Sequence, residues 1–350
     1  MKNQSNHSEL REKILSDKNI RRAVVRRSHY WFFSIFLGHY IQYEVAPFQR
    51  EMFELTEDID HRLIVVMAFR GSGKSTIMNL SQTLWSILGE QRKKFVLIIS
   101  KTQAQARTHF QNIRDELRYN GLLARDLGPF EADESSWGLS SLVLPNMGAR
   151  ITVASREQSI RGIRFWQHRP DLIICDDLED STSVQSKESS DDTYRWFISE
   201  VMPAGDGRAK VIVLGNLLGK NSLLLRLRDD IESRKTHGVF RAYPLLDDND
   251  AVLWPGKYST TDMIEELRGM ISDDEIWKME YILKYMPEIS LIRLAQMNDA
   301  LRRGDEQSSR RPHTIGKYTI SAPIARSFLI ELAEQQGVES YSHPQLPEAV

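Results

Sequence analysis

Cysteine is almost absent from this sequence: Cys175 stands alone among 350 residues. An intramolecular disulfide and a cysteine-built zinc site are both excluded, and the usage fits a reducing compartment such as the cytosol. A surplus of either charge is lacking as well, since 46 Lys and Arg meet 48 Asp and Glu. That balance excludes a histone-like basic protein, although a local basic groove stays compatible with it. Long apolar runs are missing too. The richest early stretch, Trp31 to Leu37 behind Arg26 and Arg27, falls far short of the roughly 20 residues a membrane span needs. It also lies too deep for a secretory signal and reads as a buried aromatic helix. No internal repeat stands out. The remainder, 41% apolar and 27% charged, is an ordinary soluble composition able to bury a substantial core.

Four regions follow from the patterning. Residues 1–60 read as helices, with Pro47 breaking the chain before a helix near Gln49 to Leu55. In residues 61–245 short apolar runs alternate with amphipathic stretches: Leu63–Phe69, Phe95–Ile99, Leu172–Cys175, Val211–Leu214 and Val239–Tyr243 as strands, with helices from Lys74 and over Gln103 to Tyr119. Leu142–Leu144 and Ile151–Ala154 read as a hairpin around Asn146 and Gly148. Near-continuous Val/Ile/Leu strands separated by helices predict an α/β three-layer sandwich with a mostly parallel sheet. Residues 246–290 turn to loops and two helices, Thr260–Met270 and Asp273–Lys284, and residues 291–350 form a tail of weak periodicity.

The first strand runs into Arg70-Gly71-Ser72-Gly73-Lys74-Ser75-Thr76 and then a helix. A phosphate chain needs several converging backbone N–H groups, which a glycine-permitted loop supplies, and the positive N-terminus of a following helix. It also needs a lysine on the β and γ oxygens and a hydroxyl on magnesium. Gly71, Gly73, Lys74 and Ser75 meet these needs in the right order. Ala68 stands where the usual motif opens with glycine.

The strand Leu172–Cys175 ends in Asp176-Asp177-Leu178-Glu179-Asp180. A carboxylate there can hold magnesium through water, which assigns Asp176, and a second can orient the attacking water. For that second role Asp177 is adjacent but short, whereas Glu179 has the reach and is slightly favoured. The extra strand Phe95–Ile99 between the two motifs in sequence predicts separated Walker A and Walker B strands. Asn216, after Val211–Leu214, contacts a γ-phosphate or caps a turn.

Taken together, the chain resembles the ATPase portion of tailed-bacteriophage terminase large subunits over roughly residues 30 to 290. The residues that carry this are Phe48-Gln49-Arg50-Glu51-Met52, Arg70-Gly71-Ser72-Gly73-Lys74-Ser75, Arg161-Gly162-Ile163-Arg164, the acidic strand with Arg169-Pro170-Asp171 ahead of it, and Leu214-Gly215-Asn216. Trp254-Pro255 and Glu280-Tyr281-Ile282-Leu283 are similar to that family's segment between ATPase and nuclease. The resemblance implies a P-loop, ATP- and Mg2+-dependent motor in the host cytoplasm that threads double-stranded DNA into a procapsid. Its partners would be a portal protein, a small terminase subunit and further copies of itself in a ring, usually a pentamer. Gln49 then matches an adenine-side glutamine, Ser72 and Thr76 belong to the nucleotide loop, and Arg70, Arg161 and Arg164 match positions of transition-state arginines.

The tail departs from the family. Lys317–Ile324 stands where a nuclease strand should begin, without its aspartate, and the acids past Glu306 are Glu331, Glu334, Glu339 and Glu348. A two-metal site needs clustered carboxylates, so an intact nuclease is not expected from this chain. Two rival readings stay open: another P-loop nucleic-acid motor such as a helicase, and a non-catalytic prophage remnant that binds nucleotide.

Overall fold

A computed structural model describes residues 13–14, 16–40, 42–130, 137–284, 313–315 and 318–320. The chain divides into two units after Met286. In the first, one sheet has the strand order β3-β4-β2-β5-β6-β1-β7. Its strands are β1 Leu63–Ala68, β2 Phe95–Ser100, β3 Ser141–Leu144, β4 Ala149–Ser155, β5 Leu172–Asp176, β6 Lys210–Gly215 and β7 Val239–Tyr243. All pairings are parallel except β3 with β4, which closes the edge as a hairpin. Its turn is Pro145–Met147 followed by Gly148 at φ 55°, a left-handed conformation that glycine adopts without strain.

The helices are α1 Lys18–Arg27, α2 His29–Phe36, α3 Pro47–Glu57, α4 Gln82–Leu88, α5 Gln103–Tyr119, α6 Gly121–Leu127, α7 Lys187–Trp196, α8 Leu223–Glu232, α9 Thr261–Gly269 and α10 Asp274–Trp277. A π-helical turn, Thr76–Ser81, precedes α4, and others follow α7 and α10. The helix expected from Lys74 starts there, with Lys74 and Ser75 α-helical before the wider turn, and the one expected from Asp273 ends at Leu283, where φ reaches 57°. The α5 bounds agree with the sequence pattern, helped by Thr102, whose hydroxyl accepts from the Gln105 N–H to cap the first turn.

Successive strand residues face opposite sides of a sheet. Ile64, Val66 and Ala68 accordingly join one apolar cluster and Leu63, Val65 and Met67 the other, so every residue of β1 is buried. At about 1.5–3 kcal/mol per large apolar side chain, this strand alone gains on the order of 10 kcal/mol before chain entropy is subtracted. The first cluster holds Phe32, Phe36, Phe48 and Phe53 from α2 and α3, together with Trp254, Tyr258, Trp277 and Tyr281 from beyond the sheet. The second is filled by Phe197, Val201, Leu223, Leu224 and Leu227. This is the expected α/β three-layer sandwich with a mostly parallel sheet, β6 lying between β1 and β5. The two motif strands are thus separated in space, but by β6 and not by β2, which flanks β5 on its far side.

In the second unit β8 His313–Ile315 pairs antiparallel with β9 Tyr318–Ile320. The rest of Pro287–Val350, including the acids Glu331, Glu334, Glu339 and Glu348, lies outside the described residues. No helix among the described residues is long and apolar enough to cross a membrane.

Candidate nucleotide site

In open α/β sheets, ligands bind outside the carboxyl ends of the strands. Register brings three such ends together here: Met67 of β1 pairs with Gly215 of β6, and Leu214 of β6 with Asp176 of β5. The loop after β1 turns on Gly71 and Gly73 at φ 79° and 86°, values an L side chain would hold only under strain. A Cβ at Gly73 would also lie 3.2 Å from Gln49 Nε2.

Lys74 is buried, and its ammonium donates to Asn216 Oδ1. This contact brings Asn216 to the loop that follows β1. Ser75 Oγ donates to Asp176 Oδ1 at 3.2 Å. Asp176 is fully buried, and its Oδ2 accepts from Asn79 Nδ2 at 3.0 Å and lies 3.6 Å from His109 Nε2. Neither Asn79 nor His109 was anticipated; the signal for Asn79 was a polar residue one turn beyond Ser75 on a helix otherwise set for burial.

Asp177 sits at φ 50°, and its N–H donates to Leu214 O at 3.1 Å. A Cβ at Gly215 would lie 3.7 Å from Asp177 Oδ1, which puts this carboxyl against the end of β6. Desolvation there raises its pKa, Lys74 opposes that rise, and the adjacent Asp176 charge adds to it. Glu179 is placed differently. Its Oε2 accepts from the Leu223 N–H at 2.8 Å and so caps α8, leaving Oε1 buried without a hydrogen-bond partner. Burial pushes its pKa up to about 7, against the pull of the Leu223 N–H and of Arg156 and Arg226. The reach that distinguished Glu179 in the sequence is spent on a helix end. A small cavity of about 20 Å³, room for one water, lies among Asp177, Glu179, Asn216 and Leu223.

Gln49 is buried on α3. Its Oε1 accepts from the Ala46 N–H at 3.0 Å, and its Nε2 donates to Ser72 O at 2.8 Å. Each amide atom keeps one further hydrogen or lone pair. It borders a cleft of about 230 Å³ with Tyr40, Tyr43, Gly73, Thr76 and Trp254. Lys257 closes the far wall, donating to Gly71 O at 3.2 Å while lying over the Trp254 and Tyr258 rings.

The arginines are dispersed. Arg70 pairs with Glu280 at 2.7 Å, and the Arg70 N–H donates to Glu280 O at 3.0 Å. Arg161 lies 3.5 Å from Glu200. Arg164 is exposed and has no ion pair among the described residues. Among the described residues, neither Arg161 nor Arg164 makes an ion pair or side-chain hydrogen bond to the loop that follows β1.

No protein-family model matches the sequence, and neither does any curated protein. Among solved structures the chain is similar to the bacteriophage HK97 large terminase, with 16% identity, 78% of this chain and 56% of that chain covered, and a TM-score of 0.49. It is also similar to the large terminase of a thermophilic bacteriophage, with 11% identity, 63% and 48% covered, and a TM-score of 0.43. A third is a Thermus phage large terminase ATPase domain, with 13% identity, 69% and 100% covered, and a TM-score of 0.43. The chain spans about half the length of the first two.

Among the described residues no group of three or more His, Cys, Asp or Glu side chains is arranged to hold a metal. The hard oxygens of Ser75 and Asp176, 3.2 Å apart, nevertheless fit magnesium. This ion is held by one or two protein oxygens plus substrate phosphates and water, not by a cage of side chains.

Proposed function

We propose that this chain is a magnesium-dependent ATPase, the motor subunit of a DNA-packaging terminase. The observation that carries the ATPase reading is the convergence of Lys74, Ser75, Asp176, Asp177 and Asn216 on the carboxyl ends of β1, β5 and β6. The packaging role, with double-stranded DNA, a portal protein, a small terminase subunit and a homo-oligomeric ring as partners in the host cytoplasm, rests on the sequence motifs.

Lys74, with the backbone N–H groups of Gly71 to Ser75, binds the β and γ phosphates and disperses their charge. Ser75 and Asp176 hold magnesium, which supplies further charge neutralisation when bound. Asp177 is the carboxylate that orients and deprotonates the attacking water, because it stands at the end of β6 beside Asn216, with Lys74 at the phosphates next to it. Asn216 holds Lys74 until a γ-phosphate replaces it. The aromatic cleft beside Gln49 receives the base. Arg70 from this chain, and Arg161 or Arg164 offered to a neighbouring subunit, are the arginines that complete the transition-state charge, a contribution of roughly 10³–10⁵ in rate.

The discriminating experiment compares Asp177→Asn with Glu179→Gln. Asp177→Asn is expected to keep ATP binding and lose turnover, whereas Glu179→Gln keeps measurable turnover. The reverse pattern, in folded proteins, would return the water to Glu179.

A further inference from the structure

We propose that Asn79 is a positioning residue that orients the Asp176 carboxylate for magnesium, an assignment resting on the ATPase reading above. Residues in register on neighbouring strands share a face, and Leu172, Ile174 and Asp176 point to the side packed by the phosphate-loop helix and α5. Asp176 is therefore approached by side chains from both. Its two oxygens are used unequally. Oδ1 faces the Ser75 hydroxyl at 3.2 Å, on the phosphate-loop side, while Oδ2 receives Asn79 Nδ2 at 3.0 Å and has His109 behind it at 3.6 Å. The hydrogen bond from the Asn79 amide fixes the rotation of the carboxylate and leaves Oδ1 as the oxygen turned to Ser75.

Packing does not explain this asparagine. Asn79 is fully buried, and its own Oδ1 has no hydrogen-bond partner. An apolar residue of the same size would fill the position without burying an unpaired oxygen. The residue also lies in the π-helical turn Thr76–Ser81, and such turns inside helices recur at functional sites. Ser75 and Asn79, four apart, reach one carboxylate from one side of the helix.

Outer-shell partners of metal-binding groups, when removed, cost roughly 10–100-fold in metal affinity. The experiment measures binding of a fluorescent ATP analogue to the full chain while magnesium is titrated, and separately with EDTA. Asn79→Asp keeps the shape but removes the donor. It is expected to raise the magnesium concentration for half-maximal tight binding about tenfold, with the EDTA affinity unchanged. Asn79→Leu, which also lacks the donor but is apolar, is expected to do the same and reports if Asn79→Asp does not fold. A parental magnesium requirement in both folded variants would overturn the assignment. Equal losses with and without magnesium would also overturn it, by making Asn79 a general support of the loop. A parent chain that binds no nucleotide, with Lys74→Ala indistinguishable from it, would instead refute the ATPase reading itself.

Discussion

Gln49→Ala should destabilise this protein by about 2–4 kcal/mol, far more than a polar residue at a helix start ordinarily costs. The magnitude follows from two groups that the substitution strands. The Ala46 N–H and the Ser72 carbonyl are the backbone partners of the Gln49 amide at 3.0 and 2.8 Å, and both residues are buried. A buried donor or acceptor left unpaired costs about 1–3 kcal/mol, and water entering from the adjacent cleft relieves part of that. A lost helix cap alone costs about 1 kcal/mol, so the excess measures the tie between α3 and the phosphate loop. The assay is urea unfolding of parent and variant, comparing midpoints at a shared slope, alongside affinity for ATP. Gln49→Glu keeps the bond from Ala46 but sets an acceptor against the Ser72 carbonyl. It should lose nucleotide affinity out of proportion to its loss of stability. A Gln49→Ala stability within about 0.5 kcal/mol of the parent, the range of ordinary surface changes, would mean that Gln49 does not tie α3 to the loop.

Three further outcomes are expected. The Glu179 pKa is raised from 4.5 to about 7 by burial, so the folded state holds the proton more tightly than the unfolded state. The stabilisation is complete below pH 4.5 and is lost as pH rises through about 7, at up to about 1.4 kcal/mol per unit; Glu179→Gln should flatten thermal stability across that window. His29 behaves oppositely. It is fully buried between Thr56 Oγ1 and Ser81 Oγ at 2.6 and 2.7 Å, and burial lowers its pKa to about 3. Stability should fall as pH drops from 6.5 toward 3, and His29→Phe should remove that slope while lowering stability at neutral pH. Cys175, buried in β5 with its thiol pKa pushed up by burial and by Asp176, should react with a disulfide reagent only at the rate of unfolding. Prompt labelling under native conditions would contradict the central position of β5.

The sheet was legible because strand burial on both faces leaves an apolar run in the sequence, and the turn after β1 because Gly71 and Gly73 supply its positive φ angles. Strand order was not legible. Nothing in Phe95–Ile99 or Val211–Leu214 distinguishes the strand that inserts between β1 and β5, since both are uniformly buried. The placement of Glu179 was hidden for a related reason: side-chain length suggested reach, but the Leu223 N–H at the N-terminus of α8 donates to its Oε2. Likewise Gln49 could be chosen by type, whereas its hold on Ser72 depends on how α3 packs across the loop. Glu280 and Lys257, which bind the loop at Arg70 and Gly71, lie some two hundred residues away in sequence and became visible only in the fold.

The proposed ATPase activity depends on Lys74, set on the carboxyl edge of the sheet. The most direct measurement is steady-state phosphate release from ATP and magnesium by the full chain, with Lys74→Ala beside it and folding checked by circular dichroism. Turnover by the parent and none by Lys74→Ala, at equal helical content, is the predicted result. An unchanged rate in Lys74→Ala would contradict the account, because no second lysine lies within the loop to take over the phosphate oxygens.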